Sequence, residues 1–236
     1  MLVIKESDNN VDFKAEFYNP DGTTGIMCGN GARCAVRFAY ENNFFKLIND
    51  RKTIRFQMVD IVFQAQLLNN SIRIFFPPPI ELIEEIELNI NEKIIKGGYV
   101  NIGSDHFVVN ASQVSSYHGK DISKIDIEKF AKPIRYHNHF EPKGTNVNLY
   151  LVESISKIYL RTFERGVEAE TGACGTGAIS TALIASLKLE VLFPVTIIPT
   201  SGSPLIVDLE STVNNKIKAV SLEGNTLFIK QEKIEL

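Results

Sequence analysis

The sequence predicts an α/β chain of the α+β type, built as two related halves. Three observations carry that expectation. A short phrase, Cys-Gly-x-Gly-Ala, occurs twice, as Cys28-Gly29-Asn30-Gly31-Ala32 and as Cys174-Gly175-Thr176-Gly177-Ala178. Eleven residues before each cysteine stands a phenylalanine that ends a strand-like run, Phe17 in one case and Phe163 in the other. Between the two copies, Pro77-Pro78-Pro79 interrupts the pattern. Three prolines fix φ and remove three backbone donors, which suits a junction between units.

The elements follow in order. Apolar and polar residues alternate over 13–18, 54–58, 61–68 and 72–76, the period of half-buried strands, and helix-forming sequence over 33–40 lies after the first of them. Beyond the prolines the mixture returns: strands near 99–110, a helix within 122–131, and strands at 146–152 and 157–163. A second helix over 179–187 precedes strands at 195–198, 205–209, 216–221 and 226–230. The first unit is therefore expected over 1–77 and the second over 80–220. Far fewer residues precede Cys28 in its unit than precede Cys174 in the other, so the first unit is expected to be short at its N-terminus.

Composition narrows the function. At 236 residues the chain can bury one large core or two small ones, and 44% hydrophobic with 22% charged residues describes an ordinary soluble globular protein. A net charge of -3 without a basic cluster argues against nucleic acid. The apolar runs are strand-sized, and no signal peptide opens the chain, so no membrane partner and a cytoplasmic location are expected. Three cysteines without metal-type spacing are expected to be thiols, and no metal is expected. His137 and His139 flank Asn138 in too short a tripeptide to argue for one.

The repeated phrase carries the chemistry. A helix N-terminus presents unpaired N–H groups and about half a positive charge, which makes a carboxylate site without a cationic side chain. Glycines let the ligand approach the backbone. The same field is expected to lower a thiol from its free pKa of about 8.5 and favour the thiolate. Two such bases in mirrored settings suit inversion of a carbon stereocentre, one thiolate removing a proton and a thiol on the opposite face returning one. Two helix N-termini would stabilise the carbanion, so no cofactor, pyridoxal phosphate included, is expected. A lone Cys-Gly turn is more often structural, and its duplication is what changes the balance. A dinucleotide loop fits poorly, because Cys34 and Ser180 stand where the third glycine belongs. Cys34 itself is expected to be a small core residue of its helix.

The phrases Met27-Cys28-Gly29-Asn30-Gly31-Ala32-Arg33-Cys34 and Glu170-Thr171-Gly172-Ala173-Cys174-Gly175-Thr176-Gly177-Ala178 closely resemble the two signatures of diaminopimelate epimerase. Supporting matches are Asn19-Pro20-Asp21-Gly22, Gly103 to His106, Gly144-Thr145-Asn146-Val147-Asn148 and Glu164-Arg165-Gly166. The resemblance implies a cofactor-independent epimerase interconverting LL- and meso-diaminopimelate, on the route to lysine and bacterial cell wall. It implies two pseudo-symmetric domains, each a curved, mostly antiparallel sheet or barrel around a central helix. The active site lies in the cleft between them, and residues 222–236 return to complete the first domain. It makes Cys28 and Cys174 the base and acid pair, with Gly29, Asn30, Gly175 and Thr176 holding the reacting carboxylate. Glu164 would receive the substrate ammonium, His106 would lie beside the thiols, and Ser104 would touch substrate. Asn19, Asn146 and Arg165 would grip the distal amino-acid end, a guanidinium fork matching a carboxylate. The expected partner is a small-molecule amino-acid substrate, and a homodimer is expected.

Structural alternatives accompany the carried residues: Asn19 could build a turn, Glu164 and Arg165 could be an exposed pair, and His106 a satisfied strand histidine. Two departures from the family stand out. Its opening Gly-x-Gly-Asn-Asp-Phe phrase is missing, and Asp105 replaces the usual proline before the histidine. Loss of the opening strands is expected to expose a sheet edge. Three rival functions remain: another cofactor-free amino-acid racemase or isomerase of the same fold, a non-catalytic homologue, and a thiol pair that oxidises when the site is empty.

Overall fold

The duplicated phrase sits in a duplicated piece of backbone. The computed structural model describes residues 1–7, 11–18, 22–24, 27–42, 53–114, 117, 121–213 and 216–229. In the first half, β1 (Leu2–Glu6) pairs antiparallel with β2 (Phe13–Phe17), and helix α1 (Gly29–Glu41) follows. The next strand, β3 (Thr53–Met58), returns parallel to β2, and β4 (Ile61–Leu67) and β5 (Ser71–Phe76) continue antiparallel. Then come β6 (Glu81–Ile90), β7 (Lys93–Asn101), β8 (Asp105–Asn110) and helix α2 (Ile127–Arg135). The first series now repeats. Strand β9 (Asn146–Ser154) pairs antiparallel with β10 (Lys157–Glu164), and the short β11 (Ala169–Thr171) leads to helix α3 (Gly175–Leu187). After it β12 (Val195–Pro199) returns parallel to β10, and β13 (Leu205–Val213) and β14 (Lys216–Asn225) continue antiparallel.

All the strands join one α+β sheet in the order β1-β2-β3-β4-β5-β14-β13-β12-β10-β9-β8-β7-β6, with β11 beside β10. The halves meet where β14 pairs antiparallel with β5, Leu222 opposite Ile74. Strand alternation decides what each face covers. On β3, Ile54, Phe56 and Met58 are buried while Thr53 and Arg55 are exposed. Strands β8 and β9 are buried on both faces: Val108 and Tyr150 join the core around α1 and α3, whereas Phe107, Val109, Val147 and Leu149 pack with α2. Helix α1 turns Ala32, Ala35, Val36 and Ala39 inward and pairs Arg37 with Glu41 at its surface. Helix α3 is buried on every side from Gly175 to Ala185, enclosed by the core and the strands around it.

The strands expected near 99–110 are β7 and β8, and Gly103, with a φ of +91°, turns one into the other. Several other expectations are corrected. Strand β6 lay hidden because its acidic residues are exposed along most of its length. Residues 226–229 carry an alternating pattern yet pair with nothing regular; β14 ends at Asn225, and Leu227 and Ile229 are exposed. Cys34 is exposed on α1 rather than buried in the core, and all three cysteines are free thiols. His137, Asn138 and His139 lie in a short 3-10 turn.

Candidate active site

Each cysteine caps its helix. Cys28 has extended backbone (φ -109°) and its Sγ accepts a hydrogen bond from the Gly31 N–H at 3.3 Å. Cys174 caps α3 with nearly the same backbone (φ -114°); it makes no such side-chain bond, although the Gly177 N–H still favours its thiolate. The two helix starts converge. A Cβ added to Gly29 would lie 3.5 Å from the Gly175 Cα, and one on Gly175 would lie 3.4 Å from the Gly29 Cα and 2.8 Å from Leu222. The two first turns are thus in van der Waals contact, and a side chain at Gly175 would crowd Leu222. The first-turn N–H groups of Gly29, Asn30, Gly175 and Thr176 lack intrahelical partners by helix geometry. Asn30 spends its side chain on the protein: Nδ2 donates to the Ala173 carbonyl at 2.9 Å, and Oδ1 accepts from Arg33 Nη2 at 2.7 Å.

The thiols are less acidic than the helix field alone suggests. Burial pushes the Cys28 thiol up, against the opposing N–H groups of Gly31 and Asn30, and the Glu164 charge pushes it further. Burial and the same carboxylate push Cys174 up to about 12. The expected thiolate-favouring shift is therefore reversed, because desolvation outweighs the N–H groups that face each sulfur. The Glu164 charge acts on both sulfurs, so it lies within electrostatic reach of both half-sites. Burial raises its own carboxyl, opposed by the Thr171 hydroxyl, which donates to Oε2 at 2.7 Å.

A buried polar chain ends at Cys174. His106 is fully enclosed on β8, facing α3. Thr162 Oγ1 donates to Asn148 Oδ1 at 3.0 Å, which turns the Asn148 amide nitrogen toward His106 Nδ1 at 3.1 Å. His106 Nδ1 is then an acceptor, and its Nε2–H faces Ser104 Oγ at 2.8 Å and Thr176 Oγ1 at 2.9 Å. Thr176 Oγ1 in turn lies 3.5 Å from Cys174 Sγ. Burial, reinforced by the Arg165 charge, holds the His106 pKa at about 3, so its imidazole is neutral.

Arg165 and Asn146 stand together at one end of this group. Asn146 Oδ1 accepts from the Arg165 backbone N–H at 2.8 Å, and its Nδ2 donates to the Asp105 carbonyl at 2.7 Å. The Arg165 guanidinium pairs with Asp105 through Nη1 at 2.8 Å. Asn19 lies outside the described residues. The structure thus gathers Cys28, Cys174, Gly29, Asn30, Gly175, Thr176, Glu164, His106 and Ser104, with Asn146 and Arg165 alongside.

Three residues escaped sequence reasoning. Asn148 was detectable as the same-face neighbour of Asn146 on β9, two residues on. Thr171, which holds Glu164, sits inside the second signature phrase but carries no pattern of its own. Arg33 is 6% exposed with Nε unpaired, and nothing in its spacing marks it as buried. A groove of about 1140 Å³ is lined by other residues, including Tyr117, Leu151 and Arg161. Volume alone does not point to the thiols.

No family model matches the chain. A diaminopimelate epimerase of Aquifex aeolicus is 38% identical over 229 residues, covering 95% of this chain and 76% of that one. Another, from Hydrogenobaculum sp., is 36% identical and covers 96% of this chain and 76% of its own length. The chain belongs to the diaminopimelate epimerase family. As a diaminopimelate epimerase homologue it is an isomerase, and an epimerase of this fold. Solved structures agree on architecture. A probable proline racemase from Agrobacterium radiobacter K84 aligns with a TM-score of 0.70 at 15% identity, over 100% of this chain and 75% of that one. A Bacillus anthracis phenazine biosynthesis protein of the PhzF family aligns at 0.67 and 11% identity, over 100% and 84%. Those two likenesses speak to the fold that diaminopimelate epimerases share with them. Among the described residues no helix is long and apolar enough to cross a membrane.

Proposed function

We propose that the chain interconverts LL- and meso-diaminopimelate by two-base proton transfer between Cys28 and Cys174, in lysine and peptidoglycan precursor synthesis. The observation that carries this reading is the convergence of two cysteine-capped helix starts at Gly29 and Gly175, with one carboxylate, Glu164, acting on both thiols. The free N–H groups of both first turns receive the substrate α-carboxylate. They stabilise the charge that spreads into it once the α-proton leaves.

Glu164 receives the α-ammonium. Its charge opposes ionisation of both thiols, and a bound ammonium neutralises that charge and brings a thiolate within reach. One thiolate takes the proton, forming an S–H bond as the C–H bond breaks and the electron pair delocalises into the carboxylate. The opposite thiol gives its proton to the other face, and the enzyme is left with the thiol and thiolate exchanged. Neutral His106 orients the Thr176 hydroxyl, which supports the thiolate of Cys174. Asn19, Asn146 and Arg165 hold the distal end, while Ser104 contacts substrate beside His106. We also assign residues 1–77 with 222–236 to one half-site unit and 80–220 to the other, a division supported by the pairing of β14 with β5.

Exchange of the α-proton in deuterated water tests the reading, with diaminopimelate set against single-headed amino acids. Exchange on diaminopimelate is expected. Exchange only on the single-headed compounds would transfer the protein to the rival racemases.

A further inference from the structure

Arg165 does not meet the distal pocket as a free cation. Its Nη1 donates to Asp105 Oδ2 at 2.8 Å and to the Gly144 carbonyl at 3.0 Å. Asp105 is itself fixed, because its other oxygen accepts from the Tyr99 hydroxyl at 2.7 Å and from Asn101 Nδ2 at 3.1 Å. Burial pushes the Asp105 carboxyl up, but Tyr99 and Arg165 outweigh it and hold it below the usual carboxylate value. Asn146 ties the backbones of both partners, so the pair is built from three strands' ends rather than from two mobile side chains. The side chains of Arg165 and Asp105 remain 26% and 18% exposed.

Two donors and one acceptor position are left over. Nε and Nη2 of Arg165 form no hydrogen bond among the described residues, and together they make the edge of a guanidinium that matches a carboxylate. Asp105 has about four lone-pair positions, and three donors occupy it. A ligand end carrying both a carboxylate and an ammonium can use both vacancies. A bare carboxylate can use only the first, and it meets the Asp105 charge without compensation.

We propose that Asp105 makes the distal subsite selective for a zwitterionic amino-acid end over a bare carboxylate. The inference rests on the assignment of Arg165 to the distal end made above. It names a specificity determinant at the position where the family resemblance expects proline.

The test compares diaminopimelate with 2-aminopimelate, the same dicarboxylate lacking the distal amino group, on the wild-type chain and Asp105→Asn. For wild type, KM for 2-aminopimelate is expected to be at least about tenfold above that for diaminopimelate, the equivalent of one lost charge-assisted contact. In Asp105→Asn that ratio is expected to collapse to within about threefold. An unchanged ratio, or both KM values moving by one common factor, would overturn the proposal. Absence of α-proton exchange on either compound would instead sink the proposed function. Calorimetric binding of the same two ligands then supplies the ratio, and equal affinities, or binding of neither, would overturn the role of Asp105 as well.

Discussion

The side chain of Asn30, in the first turn of α1, donates to the carbonyl of Ala173, the residue before the second cysteine, at 2.9 Å. One amide thus latches the two half-sites, and Arg33 holds it from behind through Oδ1. Asn30→Ala leaves the Arg33 Nη2 and the Ala173 carbonyl without that partner, at a cost of about 1–3 kcal/mol. Denaturant unfolding is expected to show that loss together with a fall in kcat. A variant as stable and active as wild type would show that the latch is idle.

Replacing either cysteine tests the two-base scheme. Cys28→Ala and Cys174→Ala are each expected to lower epimerisation by at least about a thousandfold, within the range attributed to positioned acid–base groups. Circular dichroism of diaminopimelate mixtures follows full inversion. Substantial inversion surviving in one variant would refute the scheme.

Glu164 raises both thiols, so removing its charge must lower them. In Glu164→Gln the thiolate fraction at a given pH rises, and the rate of Cys28 alkylation by iodoacetamide is expected to climb at lower pH than in wild type. KM for substrate should rise at the same time, since the ammonium loses its partner. An alkylation profile that stays put, or moves to higher pH, would remove Glu164 from the space between the thiols.

His106 makes the fold sensitive to acid. Its pKa is about 3 when folded and about 6.5 when unfolded, so between those values the unfolded chain binds a proton that the native chain refuses. Its contribution is fully present above pH 6.5 and is lost progressively as the pH falls toward 3. Between pH 7 and pH 5 this amounts to about 2 kcal/mol. Thermal unfolding of His106→Asn, itself less stable at pH 7, is expected to show a smaller drop over that interval. An equal drop in both proteins would place the acid sensitivity elsewhere.

The repeat made much of this legible. Phe17 ends β2 and Phe163 stands one residue before the end of β10, each cysteine caps a helix, and each helix returns through a strand parallel to the first. Cys-Gly-x-Gly announces these features because capping and close approach are local properties of the backbone. What stayed hidden depends on distant neighbours. The thiol shifts were misjudged because burial by the opposite half, and the charge of Glu164, have no local signature. The ion pair of Asp105 and Arg165 joins residues 60 apart in sequence. Cys34 looked apolar and small, but it lies on the outward side of α1. The exposed acidic residues of β6 conceal a strand whose partner, β7, supplies the pairing.

The seam between β5 and β14 also bears on how the protein comes into being. During synthesis β5 leaves the ribosome long before β14, and until then the edge that Leu222 will cover at Ile74 has no neighbour in this sheet. The nascent first half is therefore an unfinished surface, open to other strands. Chaperones that shield β edges, or rapid translation of the intervening segment, are therefore expected to raise the yield of folded chain.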